Sequence, residues 1–122
     1  MVPGHTLAHA LEKLALRHET DELRHGEAVA IGLAFAARLA RALDRVGDDV
    51  VGYHDAVLAT LELDGRLPHQ YNTEEVLEAM TFDKKARHDL SFVLAGVDGY
   101  SLITGLDRVV VANVLERFKG ES

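Results

Sequence analysis

GHTLAHALE (residues 4–12) and RHGEAVAIG (residues 24–32) are the two stretches that decide the fold. In the first, His5 and His9 are four positions apart, so on a helix they lie one turn apart on the same face. In the second, His25 opens a strongly apolar segment of helical character. Two neighbouring helices would bring two or three imidazoles together. Such a cluster suits a divalent metal of the zinc type, which takes neutral imidazole nitrogen and carboxylate oxygen.

An ordinary structural role for these histidines is the alternative. A helical pair of histidines often lies at the surface or in a satisfied core position, and a complete zinc site needs three or four ligands with orienting groups behind them. The zinc-protease signature His-Glu-x-x-His is absent, since Glu27 follows His25 by two positions and no histidine follows at the required spacing. Spacing alone leaves both interpretations open.

A third polar block strengthens the pattern. Asp83-Lys84-Lys85, followed by LSFVL at residues 90–94, completes a set of blocks that resembles the C-terminal domain of the 3-dehydroquinate synthase family. The blocks occur in the family's order and at about its spacing, and the resemblance covers nearly the whole chain. Related sugar-phosphate cyclases share the first two blocks, and iron-dependent alcohol dehydrogenases share a distant version.

The resemblance implies roles for the histidines and for one glutamate. His5 and His25 would be two metal ligands, with zinc favoured over cobalt, and the family's third ligand is a glutamate in an N-terminal domain. His9 would lie at the substrate, as a hydrogen-bonding group or proton relay, or else be a buried structural histidine. Glu27 would orient His25 or lie near the site. Its alternative role is that of a first-turn glutamate favoured by the helix dipole.

The same resemblance implies that one lysine of Asp83-Lys84-Lys85 reaches the anionic groups of a sugar-phosphate substrate. We favour Lys85, with Lys84 second. An ammonium binds phosphate or carboxylate as a point charge. A lysine pair in an arbitrary sequence is more often solvated surface. One departure from the family is Val2, which stands where the family usually has an asparagine three residues before its first motif histidine.

Composition restricts the class of protein. The chain has 122 residues, enough for one modest domain, and a net charge of -7 that disfavours nucleic-acid and anionic-membrane partners. It has no cysteine, which excludes disulfides and thiolate metal sites and is compatible with the cytoplasmic location that we expect. No signal peptide is apparent, and the apolar run at residues 28–37 is too short to span a bilayer.

The chain begins almost directly on its most distinctive motif, so we expect a single helical metal- and substrate-binding domain, residues 1–122, of a longer protein. It contains no Gly-rich dinucleotide fingerprint after a strand. In the family, NAD is held mainly by an N-terminal α/β domain. We therefore expect that domain to be missing here, the isolated chain to be inactive, and the full-length enzyme to be a homodimer.

Periodicity predicts a mostly α, multi-helix bundle with one small β-hairpin. Gly47 is expected to end the second helix, and Asp48 or Asp49 to cap the third. Asp107 is expected to cap the last helix, whose buried side would include Val109 and Val110. The expected helices cover residues 5–17, 24–44, 48–63, 73–80 and a last segment from 107, and the expected strands cover 90–95 and 100–104, joined by a turn at 96–99.

By resemblance, the full enzyme would convert 3-deoxy-D-arabino-heptulosonate 7-phosphate to 3-dehydroquinate and phosphate in the shikimate pathway. Two alternatives stay open. One is a related cyclase acting on sedoheptulose 7-phosphate or another sugar phosphate. The other is a non-catalytic helical assembly module, which the absent cofactor domain and Val2 motivate.

Overall fold

The structure is a computed structural model that describes residues 7–8, 10–12, 25–63, 65, 67, 72–81, 89–96 and 99–120. Residues 7–8 and 10–12 are helical. For this part of the chain, the expectation of a mostly helical bundle with a small hairpin is confirmed. The further elements, in chain order, are α1 (His25–Ala42), α2 (Asp48–Thr60), α3 (Thr73–Thr81), β1 (Asp89–Gly96), β2 (Gly99–Asp107) and α4 (Arg108–Gly120).

Helix α1 is the centre of the fold and packs against α2, β1 and α4. Small residues such as Ala30 and Ala34 are buried, which lets neighbouring backbones approach closely, while Ile31, Phe35 and Leu39 supply bulk. Burial extends around most of the helix, as in helices that lie inside a domain. Beyond its first turn, polar residues return only at Arg38 and Arg41, and Ala42 at its end is exposed. The apolar run at residues 28–37 is thus the buried part of a central helix whose far end reaches solvent.

Helices α1 and α2 are each followed, two residues after their last helical residue, by an acidic residue in the left-handed conformation. Asp44 has φ 59° and Glu62 has φ 58°. After α1, the N–H of Arg45 donates to the carbonyl of Ala40 at 2.9 Å, and the N–H of Asp44 donates to the carbonyl of Arg41 at 3.0 Å. These are the two hydrogen bonds of a Schellman motif, a helix ending that usually has glycine in the left-handed position.

Helix α2 begins directly after Gly47, whose backbone is extended (φ -96°, ψ 179°). The expectation that Gly47 ends α1 is therefore wrong, because Asp44 has already turned the chain. The expectation that Asp48 or Asp49 caps α2 is also wrong. Both lie in the first turn, where a carboxylate is favoured by the positive end of the helix dipole.

Helix α2 contributes little to the core. Of its thirteen residues, all described, only Leu58 is buried. Val57 is 38% exposed, and Leu61, which follows the last turn, is 62% exposed. Helix α2 therefore contacts α1 along a narrow line, and much of the apolar pattern faces outward.

Helix α3 begins at Thr73, as expected, and is capped by the preceding asparagine. The backbone N–H groups of Glu74 and Glu75 donate to Asn72 Oδ1 at 2.8 and 3.3 Å. Thr73 itself is buried, and its Oγ1 has no hydrogen-bond partner among the groups that the structure describes. The N-cap of α3 is therefore Asn72, the residue just before the helix.

The predicted hairpin is confirmed, and its strands are longer than expected. β1 and β2 pair antiparallel from Asp89 opposite Asp107 to Gly96 opposite Gly99. The two residues expected to form the centre of the turn, 97–98, lie outside the described residues.

The register shifts by one residue within the hairpin. Phe92 pairs with Ile103, but Leu90 pairs with Leu106, so two residues of β2 stand opposite one residue of β1. One of the two, Gly105, has φ 71°, a left-handed conformation that glycine adopts readily. This β-bulge is why β2 continues past residue 104, where the sequence pattern ended it.

Helix α4 is capped by Asp107, as expected: the N–H of Val109 donates to Asp107 Oδ1 at 2.9 Å. The buried side chains of α4 are Val111, Val114, Leu115 and Phe118. The expectation that Val109 and Val110 share this side is wrong, since they are 63% and 36% exposed. They precede the first buried position of the i, i+3, i+4 series and lie on the outer side of the first turn.

Phe35 joins the main layers of the core. Its ring centroid lies 5.8 Å from that of Phe92 on β1 and 5.8 Å from that of Phe118 on α4. Tilted aromatic pairs at this separation add to the energy of simple burial. Within the described residues, no helix is both long and apolar enough to cross a membrane.

Candidate metal and substrate site

The two histidine motifs are carried by helices that share one core. The helical residues 7–8 and 10–12 surround position 9, and Leu7 and Leu11 are fully buried. They belong to the same buried apolar cluster as Ala30 and Ile31 of α1. The first turns of α1, where His25 lies, therefore belong to the same apolar core as the segment that carries the first motif.

His25 is the first residue of α1, so its position at the start of a helix is as predicted. Glu27 lies in the first turn of the same helix and is half-buried. Glu27 has an interaction partner, as does Glu12 in the first motif. Both predicted roles of Glu27, orientation of a neighbour and stabilisation by the helix dipole, are compatible with this position.

The remaining predicted site residues, His5, His9, Lys84 and Lys85, lie outside the described residues, and so does the side chain of His25. Their roles stay predictions. Among the residues that the structure does describe, no group of three or more His, Cys, Asp or Glu side chains could hold a metal ion. His5 and His25 stay the predicted ligands; two imidazoles suit a zinc-type ion chemically but fall short of a complete set.

The lysine block lies on the connection between two anchored elements. α3 ends at Thr81, directly after the buried Met80, and β1 begins at Asp89, shortly before the buried Phe92. α3 also contacts β1 and α4. The elements on either side of residues 82–88 are therefore both packed in the core.

A cluster of arginines, which the sequence analysis did not single out, joins α1 to α2. Arg38 donates to both carboxylate oxygens of Asp55, at 3.1 and 2.8 Å, and its guanidinium lies 5.1 Å from the ring centroid of Phe118. Arg41 Nε donates to Asp48 Oδ1 at 2.8 Å. This hydrogen bond and the charge of Asp48 raise the pKa of Arg41 further above its ordinary value.

Comparison with known proteins identifies the class to which this fold belongs. The solved structure of 2-deoxy-scyllo-inosose synthase, complexed with carbaglucose-6-phosphate, NAD+ and Co2+, aligns with a TM-score of 0.75 and 21% sequence identity. The alignment covers 94% of this chain and 32% of that one. At this identity the likeness establishes the fold alone, which this chain shares with about a third of that synthase.

The family follows from the sequence comparison. The profile named 3-dehydroquinate synthase C-terminal matches residues 3–86, which contain both histidine motifs and the lysine block. This chain belongs to the 3-dehydroquinate synthase C-terminal family. The family predicted from the sequence is thus confirmed.

Curated relatives are much longer than this chain. A protein of Amycolatopsis mediterranei (strain S699), provisionally named an aminodehydroquinate synthase, is 44% identical over 98% of this chain and 33% of its own length. The 3-dehydroquinate synthase of Mycolicibacterium gilvum (strain PYR-GCK) is 41% identical over 84% of this chain and 25% of its own length. This chain therefore spans between a quarter and a third of these relatives.

Proposed function

We propose that this chain is the metal- and substrate-binding part of a 3-dehydroquinate synthase. The observation that carries the proposal is the family match over residues 3–86, which includes every residue to which the sequence assigned a site role. The full enzyme would convert 3-deoxy-D-arabino-heptulosonate 7-phosphate to 3-dehydroquinate and phosphate, with NAD bound by a domain that lies outside this chain. The short coverage of the curated relatives supports that division.

Each residue of this chain would have a limited task. His5 and His25 would hold a divalent metal, zinc or cobalt, and His9 would hold or move a proton at the substrate. Lys85, or Lys84, would bind the phosphate or carboxylate of the substrate. When bound, the metal polarises a substrate oxygen and NAD carries hydride. The buried cluster shared by residues 7–11 and α1 supports a rigid placement of the two histidine motifs.

A domain replacement tests this proposal. The matching C-terminal region of the Mycolicibacterium gilvum enzyme would be replaced by this chain, and phosphate release and 3-dehydroquinate formation would be measured. We expect activity in the chimera and a loss of at least about 100-fold on His25→Ala, a larger effect than is usual for groups behind the ligands. His54→Ala is the matched control, because His54 contacts the Val50 carbonyl and has no assigned role.

Two outcomes would redirect the proposal. A folded chimera that binds zinc but forms no product from any heptulose phosphate would favour the non-catalytic assembly module. Equal activity of the His25→Ala chimera would remove His25 from the metal site.

The cytoplasmic location and the homodimeric state of a full-length enzyme are also proposals. Light scattering of the chimera tests the homodimeric state.

An amino-substituted substrate is a second candidate. It is favoured by the 44% identity to the Amycolatopsis relative, whose name specifies aminodehydroquinate as product. The two candidates differ in one substituent of the substrate and require the same ring-forming chemistry. Measuring kcat/KM of the chimera with each substrate distinguishes them, and the sedoheptulose 7-phosphate alternative is tested in the same assay.

A further inference from the structure

A cleft lies between the last turns of α1, the start of α2 and the second half of α4. Its volume is about 360 Å³, near the lower end of the range for small-molecule sites. Arg38 and Arg41 come from α1, and Arg117 comes from α4. Arg38 lies thirteen positions after His25, which is about 20 Å along a straight helix.

The charge of the cleft contrasts with that of the whole chain. Three arginines and a single acidic residue, Asp48, line it, giving +3 and -1, or a net +2, in a chain whose net charge is -7. Val51 and Val114 provide apolar lining beside the charges. A cleft of this kind suits an anion attached to a compact organic group.

Two of the arginines offer hydrogen-bond donors to a ligand. Arg117 is exposed and has no hydrogen-bond or ion-pair partner within the described residues. Arg41 uses Nε for Asp48 and Nη1 for Asp44, at 2.8 and 3.4 Å, which leaves Nη2 without a described partner. Arg38 is held by Asp55 and forms a fixed wall of the cleft.

The acidic neighbours weaken this attraction only slightly. When Asp44 and Asp55 are counted together with Asp48, the three negative charges equal the three positive charges of the arginines. However, the side chains of Asp44 and Asp48 are 92% and 88% exposed, so their pairs with Arg41 are screened by water. Exposed ion pairs of this kind contribute little to stability, so an entering dianion competes with them at small cost.

We propose that this cleft binds a small tetrahedral oxyanion, either inorganic phosphate or a phosphate monoester, between Arg117 and the Nη2 edge of Arg41. Phosphate oxygens accept the planar pairs of N–H donors that guanidinium groups present. The organic part of a monoester would rest on Val51 and Val114. The site is a second anion-binding position on this chain, independent of the role proposed for Lys84 and Lys85.

The test uses the whole chain in NMR titrations at constant ionic strength, with inorganic phosphate in one arm and glycerol 3-phosphate in the other. We expect saturable shifts of the Arg41 and Arg117 side-chain Nε–H signals and of the Val51 and Val114 amides. Arg117→Gln should weaken binding about tenfold, the loss expected for charge-assisted hydrogen bonds. Tighter binding of the monoester would show that the apolar lining is used.

Two controls separate this proposal from the proposed function. Arg108→Gln removes an arginine that pairs with Glu74 outside the cleft and should leave the dissociation constant unchanged. Lys84→Ala/Lys85→Ala should also leave it unchanged. Loss of binding in the lysine variant, unaltered binding in Arg117→Gln, or absence of saturable shifts in a well-dispersed spectrum would each overturn the cleft assignment. None of these outcomes depends on whether the chain supports catalysis.

Discussion

Replacing Phe35 by leucine should reveal how much of the stability depends on the contact between α1, the hairpin and α4. Phe35 is fully buried and forms ring pairs with Phe92 and Phe118, each at 5.8 Å. Two aromatic pairs contribute about 1–3 kcal/mol beyond burial, since one pair is worth about 0.5–1.5 kcal/mol. The change of shape adds up to about 1.5 kcal/mol. We therefore expect Phe35→Leu to lower the free energy of unfolding by about 1–4.5 kcal/mol.

Urea unfolding followed by circular dichroism measures this loss, and double-mutant cycles divide it. Phe35→Leu combined with Phe118→Leu isolates the pair on α4, and the combination with Phe92→Leu isolates the pair on β1. Each cycle should return a coupling of about 0.5–1.5 kcal/mol. Tyr53→Leu is the control, because Tyr53 is 67% exposed and its replacement should change stability by less than about 0.5 kcal/mol.

The result that would refute this reasoning is a coupling below about 0.3 kcal/mol in both cycles, within the error of additive behaviour. The three rings would then only fill space, and the placement of the hairpin on α1 would depend on aliphatic contacts. A large loss with no coupling would lead to the same conclusion, because burial would account for all of it.

Three further substitutions test the helix ends and the bridge between α1 and α2 in the same unfolding assay. Asp44→Gly should stabilise the chain by up to about 1 kcal/mol, whereas Asp44→Ala should not. Asp44 has φ 59°, and the left-handed strain of about 1–2 kcal/mol that glycine relieves exceeds the cost of about 0.5–1 kcal/mol for the freedom that glycine loses on folding. Arg38→Lys should destabilise by about 1–2 kcal/mol, because an ammonium cannot donate two parallel hydrogen bonds to Asp55. An unchanged free energy of unfolding would contradict the importance of the planar group. Asn72→Ala should cost about 1 kcal/mol by leaving the N–H of Glu74 without its cap, while Asn72→Asp should retain most of the stability.

Most of the fold could be predicted from the sequence where one physical signal dominates. The run of small and apolar residues in α1 has a single stable placement, inside the domain. The hairpin combines two β-prone runs with an intervening glycine-containing turn. Asp107 precedes an apolar series of helical period and caps it as expected.

The errors arise where tertiary contacts decide between equal local choices. Asp44 and Glu62 adopt a conformation that favours glycine. The sequence pattern therefore favoured Gly47 as the end of α1, although the backbone of Gly47 is extended. The sequence of α2 has an apolar period of helical type, but only Leu58 of this helix is buried. Apolar periodicity shows that a face can be buried, and only the packed neighbours decide whether it is.

The candidate site divides in the same way. Its residues were named from a resemblance that the family match confirms, because motif identity and order are properties of sequence. Their mutual geometry is a property of packing, and for His5, His9, Lys84 and Lys85 it stays a prediction. The arginine cleft could not be found from the sequence, because Arg117 is more than seventy positions from Arg38 and only the fold brings them to one cleft.

The bulge at Gly105 has a consequence for how this family can change in length. Deleting Gly105 would leave Thr104 opposite Ser91 and Leu106 opposite Leu90, so every other pairing of the hairpin would be retained. The deletion would remove the left-handed residue and the local bend, and nothing on the inner face would change sides. Gain or loss of this one residue therefore leaves the register of the two strands almost unchanged. Natural homologues that differ here by a single residue should keep the same core.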